Sequence, residues 1–442
     1  GFGNIRGKGE EAVASEARAA GFRNALRVLR IRNYRIYTIG NAISLVGVWI
    51  QRIAVGWLAW RLTQSGFWLG MCAAGDLVPS ILISPFAGAL ADRVNRIRLV
   101  QISLFFGMFQ AWALAVLTFA EAITIGLLFA LTVALGTINA FNQPARLALI
   151  PNLVDHANLG PAVAINSLVF NNARFIGPAT AGFVIAAGNV GLAFALNAVT
   201  YMCFIYALWR VDIQDERRVP VRRRFWRELT EGYGYALRDP TIGQMFILLI
   251  ITTVGIRGFV EMFPGFADAV FARGAQGLAW LTAMVGLGAV VGGMVMLRRS
   301  GLSGLPSVVI GSTLWMALAI IGFTATTSYG FALGCAFLSG MAMTSTGIGA
   351  QTLIQSATAP AMRGRVMGFY GMIFRAGPSL NSLLLGTASE RFGLRLPVFA
   401  GACICLLAWV WIRGSRAAIE RSLAAAGSAE AEDAASASEG AA

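Results

Sequence analysis

From residue 34 to residue 413 the chain alternates long apolar runs with short polar breaks. Each run is close to the roughly 20 residues that a helix needs to cross a hydrocarbon core of about 30 Å. Lipid admits few other spanning structures, because the backbone must satisfy its own hydrogen bonds. The pattern therefore predicts twelve spans, at 34–60, 66–91, 97–119, 122–145, 158–187, 190–210, 240–268, 276–297, 304–326, 329–353, 363–388 and 394–413. A charged stretch, "DIQDERRVPVRRRFWRELTEGYGYALRD" (212–239), separates the sixth span from the seventh. The predicted organisation is a basic segment (1–33), a six-helix bundle (34–211), a connector (212–239), a second six-helix bundle (240–413) and a tail (414–442).

Composition agrees with the pattern: 57% of the residues are hydrophobic and 13% charged, against about 25% charged in soluble domains. The formal net charge is +14, which raises the question of nucleic acid. The basic residues, all arginine except Lys8, are scattered between the apolar runs rather than gathered into a patch, so no nucleic-acid partner is expected. They sort by side instead. The segment before span 1, Arg93, Arg96 and Arg98 after span 2, Arg146 after span 4, the connector, Arg298 and Arg299, Arg363 and Arg365, and the arginines after span 12 fall on one side. Arg61, Arg273, Arg391 and Arg395 fall on the other. By the positive-inside rule both termini and the connector are cytoplasmic. Residues 1–33 lack the short apolar core of a leader peptide. The tail, small and increasingly acidic, is too poor in apolar residues to fold and is read as disordered.

Cys72, Cys203, Cys335, Cys403 and Cys405 lie inside apolar runs, and His156 is the one histidine. No disulfide, metal site or cofactor is expected. With no nucleophile–base pair and no nucleotide loop, the chain does not read as an enzyme. Trp49, Trp57 and Trp60 read as interfacial belt residues first and cavity-lining residues second, and His156 as a solvated loop residue.

Features recur about 200 residues apart. "NARFIGPAT" (172–180) and "IFRAGPSL" (373–380) each place an arginine and a Gly-Pro pair inside an apolar run. "LRIRNYR" (29–35) and "ALRDPTI" (236–242) lead into spans 1 and 7. These matches point to a duplicated half. At Gly177-Pro178 and Gly377-Pro378 proline removes a helical hydrogen bond and glycine allows close helix approach, so paired bends are expected. A further bend is expected at Pro264.

"GALADRVNRIR" (88–98) resembles the cytoplasmic signature of the major facilitator superfamily. Gly88, Asp92, Arg93 and Arg96 fit it, whereas Asn95 stands in place of a glycine and Ile97 in place of a basic residue. "VGGMVMLRRSG" (291–301) resembles the second copy without its aspartate. "GNAISLVGVWIQRIAVGWLAWRLT" (40–63), "FNQPARLALIPNLV" (141–154) and "RGFVEMFPGFADAVF" (257–271) resemble bacterial efflux permeases of the enterobactin-exporter type. The resemblance implies an all-α integral membrane protein of two pseudo-symmetric six-helix bundles, in a bacterial inner membrane. It also implies that Gly88, Asp92, Arg93 and Arg96 form a conformational latch, with Asp92 accepting from the positive N-terminal end of span 11.

An ionisable side chain within a span costs at least about 2.5 kcal/mol on insertion scales, so each one is a candidate site residue. Asp76 and Glu261 are the proton-coupling candidates, and Arg52, Arg174, Arg257 and Arg375 the candidates for substrate or cavity charge. Arg52 is placed to pair with Asp76. Arg257 and Glu261, four apart on one predicted helix, would share a face. Asp268 falls at the outer rim. The arginine excess favours anionic or strongly polarised cargo. The internal charges and the resemblance together predict a monomeric secondary transporter moving a small siderophore-like, anionic or lipophilic molecule against protons by alternating access, with export as the direction that the resemblance implies. A lipid or lysophospholipid translocator, and an importer or uniporter of the same fold, stay open as alternatives.

Overall fold

The computed structural model describes residues 27–91, 94–212, 233–235, 239–298 and 304–415. Asp92 and Arg93 of the expected latch, most of the connector and the tail lie outside them. Gly88 is described only as backbone within a helix.

The first half comprises α1 (Arg32–Thr63), α2 (Gly66–Ala91), α3 (Arg96–Phe119), α4 (Ile125–Leu153), α5 (Leu159–Ala186) and α6 (Val190–Trp209). The second begins with α7 (Pro240–Gly255), followed by a 3₁₀ stretch (Arg257–Met262), one α turn (Phe263–Gly265) and a π turn (Phe266–Val270). It continues with α8 (Gly274–Arg298), α9 (Leu305–Ala325), α10 (Tyr329–Ala357), α11 (Pro360–Phe392) and α12 (Arg395–Arg413). Side chains set several starts. Asn95, Thr124 and Asn189 each accept a hydrogen bond from the backbone N–H three residues on, satisfying one of a helix's orphan donors. Asn95, the departure from the signature's glycine, is thus the cap of α3.

Ten of these segments are long and apolar enough to cross a membrane. The two that fall short are α5 and α11, the pair carrying the repeated arginine and Gly-Pro. Both pack between the halves: α2 lies against α11, and α5 against α8. Within the first half α1 packs on α5 and α6, α2 on α4, and α3 on α4 and α6. The second half repeats this with α7 on α11 and α12, α8 on α10, and α9 on α10 and α12.

The apolar core shows which end of the molecule is closed. At the end away from the connector, residues of both halves form one cluster, from Ile50, Trp57 and Trp60 to Phe259, Phe263 and Phe323. Towards the connector the core divides. Tyr34, Leu149 and Phe204 belong to a first-half cluster, and Phe246, Ile354 and Ile412 to a second-half one. Glycines give the same answer. A side chain on Gly70 would strike the Leu383 backbone at 2.8 Å, and Gly386 is backed onto Phe67 of α2. Gly364, Gly368 and Gly371, on one face of the connector half of α11, face open space. The halves meet at the far end and part toward the connector.

Two expectations change here. α4 does not end at 145: Ala145, Leu149, Ile150 and Leu153 are buried at helical spacing in the first-half core, and that burial carries the helix through Pro144 and Pro151 to Leu153. Arg146 is therefore a helix residue, not a loop residue. Span 7 is not one helix bent at Pro264. The α-helix stops at Gly255, and Pro264 opens the next short turn, where its missing N–H costs nothing. The freed Gly258 N–H donates to Asn381 Oδ1 at 2.6 Å, and Phe259, Phe263, Phe266 and Phe271 surround Phe323 of α9. Both Gly-Pro pairs stand inside helices that run on past them. The glycines act by close approach: Gly177 lies on Trp49 and Val46 of α1, and Gly377 on Thr253 of α7.

Candidate functional site

Arg52 sits on α1 eleven residues before its end, and Asp76 ten residues into α2, so at 1.5 Å per residue both lie ~15 Å from the closed end. The break in span 7 brings Glu261 to the same place from the other half. Arg52 Nε and Nη2 both donate to Glu261 Oε1, at 3.2 and 2.7 Å. Arg52 Nη1 stands 3.7 Å from Asp76 Oδ2. Asn139 of α4 lies 3.5 Å from the other Asp76 oxygen. The expected Arg52–Asp76 pair is present, and a stronger link to Glu261 crosses the halves beside it. The three side chains keep 24–27% of their surface exposed. Charges facing lipid are costly, so that surface opens into the space between the halves.

Glu261 does not pair with Arg257. The expectation assumed an α-helix, where residues four apart share a face. Residues 257–262 are a 3₁₀ stretch with three residues per turn, and the two side chains diverge. Arg257, 7% exposed, turns into the second half, where it donates to the Met343 carbonyl at 2.7 Å and lies over Phe374. The absence of a side chain on Gly347 makes room for it. Arg257 fastens the broken segment to α10 and α11.

Arg174 is exposed, and its guanidinium lies 5.8 Å from the Trp49 ring centre. Arg52 lies over the same ring at 5.5 Å. One indole thus carries two cations, and Arg174 has no ion pair among the described residues. Arg375 reaches across the cleft from α11 to donate to Gln143 of α4. The repeated arginines do not face each other, because they are out of register. Gly177 corresponds to Gly377, which sets Arg174 against Phe374 and Arg375 against Phe175. One residue is about 100° of helix.

Two more links join the halves nearer the closed end. The Trp60 indole donates to Asp268 Oδ2 at 2.9 Å. Glu390 accepts from the Ser65 hydroxyl at 2.6 Å and from the Phe67 N–H at 3.2 Å. In all three links the acid belongs to the second half and the donor to the first.

Sequence reasoning missed Asn139, Gln143 and Asn381, whose signal was polarity inside an apolar run. It gave Trp49 and Trp60 first to the interfacial belt, whereas Trp49 lines the cleft and Trp60 closes its end. It also missed Arg146, which lies over Phe204 at 4.7 Å with Nε and Nη2 buried and without hydrogen bonds. Of the expected latch, Arg96 donates to the Ala148 carbonyl at 3.3 Å.

Residues 24–434 match the family model described as transmembrane secretion effector. The chain belongs to this major facilitator family. Over 364 residues it is 25% identical to the enterobactin exporter EntS of Escherichia coli, covering 80% of this chain and 84% of that one. It is also 25% identical over 283 residues to the staphyloferrin A transporter of Staphylococcus aureus, covering 63% and 70%. Among solved structures, a bacterial homologue of the lysosomal transporter Spinster, inward-facing and unoccupied, superposes with a TM-score of 0.64 at 15% identity, covering 91% of this chain and 95% of that one. An inward-facing bacterial homologue of ferroportin superposes with a TM-score of 0.62 at 15% identity, covering 88% and 99%. These structures share the fold: a twelve-helix major facilitator transporter, embedded in a membrane and acting on small molecules.

Proposed function

We propose that this transporter exports a small organic anion from the cytoplasm by alternating access, with Asp76 and Glu261 as its proton-responsive groups. The observation that carries the reading is the charge of the cleft. Arg52, Arg174 and Arg375 line it against Asp76 and Glu261, and Arg174 has no carboxylate partner among the described residues. A low-dielectric cleft with surplus fixed positive charge concentrates anions. Cargo named for the relatives, staphyloferrin A and enterobactin, supports a siderophore-like compound, and the exporter among them supports the outward direction. With the connector side cytoplasmic, the described conformation opens inward and is poised to load.

Glu261 is neutralised by Arg52 only while the far end is closed, because the two belong to different halves. Parting that end leaves the carboxylate without its counter-charge, and closing it restores Arg52, so the two conformations give Glu261 unlike electrostatic settings. As an antiporter it would take protons up outside and release them inside, opposite to the cargo.

The test is proton exchange with the medium on ligand addition, with enterobactin as the first ligand and purified wild type, Asp76→Asn and Glu261→Gln compared. A ligand-dependent proton signal that vanishes in one variant identifies the carrier. Binding with no proton signal in any of the three removes proton coupling and leaves facilitated export.

A further inference from the structure

Arg52 is held by two acids in unlike ways. Asp76 comes from its own half, is supported by Asn139, and stands 3.7 Å away. Glu261 comes from the other half and takes two of the guanidinium's donors on one oxygen. Sharing the Trp49 ring, Arg174 offers a second exposed guanidinium without an ion pair among the described residues. A carboxylate arriving from the cleft therefore meets two cations that share one aromatic ring, whereas Glu261 engages one.

We propose that Glu261 is a tethered stand-in for the anionic group of the cargo: the cargo's anion takes Arg52 from Glu261, and by doing so releases the closed end. This rests on the reading of the cleft as an organic-anion site. The ligand class it names is a carboxylate or acidic phenol with an aromatic or flat portion, its anion between Arg52 and Arg174 and its flat face toward Trp49. Asp76 stays on Arg52 throughout, so the guanidinium is never left uncompensated when Glu261 departs. Trp60–Asp268 and Ser65–Glu390 are then the remaining polar links described between the halves at that end. Once cargo leaves on the far side Arg52 is vacant, Glu261 returns, and the empty carrier resets. Cargo binding and closure become mutually exclusive claims on one guanidinium, a differential interaction of the kind that allows a ligand to shift a two-state equilibrium.

The experiment places spin labels at Leu62 and Phe392, exposed positions at the closed ends of α1 and α11, in full-length protein in lipid nanodiscs. Distances are read with and without salicylate, with citrate as the non-aromatic probe, and binding of both is measured by calorimetry. Glu261→Gln is expected to lengthen the Leu62–Phe392 distance without any ligand, and salicylate to do the same in wild type. Salicylate affinity should rise about fivefold in Glu261→Gln, the scale of one partly exposed ion pair, and be lost in Arg52→Gln. Glu261→Asp, which keeps the charge but draws it back, should fall between wild type and Glu261→Gln and guards against a misfolded variant. Equal salicylate affinity in wild type and Glu261→Gln overturns the proposal while leaving the anion site standing. So does a distance that stays short in Glu261→Gln. Failure of both anions to bind any variant overturns the anion-site reading and this proposal together.

Discussion

The two halves use the same parts in exchanged positions. In the first, α5 supplies the cation, Arg174, and α1 the ring, Trp49. In the second, the segment after α7 supplies the cation, Arg257, and α11 the ring, Phe374. Phe374 occupies the register position of Arg174. The exchanged pairs differ in exposure: Arg174 is exposed to the cleft, whereas Arg257 is 7% exposed and bonded to a carbonyl. The glycine contact beside each pair is kept, Gly177 on α1 and Gly377 on α7. Duplication has preserved the helix approach, and the charge has diverged into an exposed site on one side and a fastening on the other. The cause is visible in the backbone: α1 is continuous, while its counterpart breaks at Gly255 and needs holding.

The strongest way to break this comparison is to attack the fastening. A side chain on Gly258 would stand 2.6 Å from Asn381 Oδ1 and 2.8 Å from the Pro378 carbonyl. Since Pro378 O is backbone, α11 itself would have to move. Gly258→Ala is expected to destabilise by about 3 kcal/mol, the upper end for overpacking a core, seen as the largest fall in unfolding midpoint in detergent among the substitutions considered.

Asn381 comes next. It is 2% exposed and accepts the Gly258 N–H, and its register counterpart in the first half is Ala181, where the unbroken α1 frees no such donor. Asn381→Ala orphans a buried N–H and should cost about 2 kcal/mol. Ala181→Asn should also destabilise, because it buries an amide with nothing to accept. If Ala181→Asn were neutral, the asymmetry attributed to the break would be wrong.

How much of this the sequence carried depends on the physics each feature uses. The spans, the two halves and the buried charges were legible because insertion into lipid is a matter of length and composition. Arg52–Asp76 was legible because both are counted from one short turn between α1 and α2. Glu261 on Arg52 was not, since the link depends on where a helix breaks, and Pro264 pointed to the wrong residue: the break begins at Gly255, where Asn381 and a cluster of phenylalanines, all distant in sequence, make it tolerable. Arg146 was misread because the expected span ended at 145, whereas core burial carries the helix on through two prolines. The near-repeat of arginines is out of register by one residue, and Arg375 turns to Gln143.

A finer test separates site from fastening. Trp49→Leu removes the ring under both Arg52 and Arg174, each contact worth about 0.5–2 kcal/mol. It should raise the KM for an anionic cargo about fivefold in vesicle transport while barely moving the unfolding midpoint. Phe374→Leu should do the reverse, lowering the midpoint by the equivalent of about 1 kcal/mol with little change in KM, because Arg257 remains bonded to Met343. Equal effects on KM would mean that both arginines face cargo, and the exchanged pairs would then be one site rather than two roles.

The smallest effect is expected at the rim. Trp60 is 4% exposed and its indole N–H reaches Asp268 at 2.9 Å, so Trp60→Phe removes a hydrogen bond to a charged acceptor while keeping most of the apolar contact with the shared core. Arg52–Glu261 and the two donors on Glu390 remain to hold the end closed. The substitution should therefore weaken closure by about 1 kcal/mol, roughly a fivefold shift between the two conformations, without measurable loss of folding stability. A cysteine introduced at Ala59, fully buried in the shared core of the closed end, and probed by a membrane-impermeant thiol reagent reads that shift as faster labelling in Trp60→Phe. Unchanged labelling would place the closure in the apolar core alone. Labelling as fast as in Glu261→Gln would make the rim, not the Arg52 pair, the element that decides which way the transporter faces.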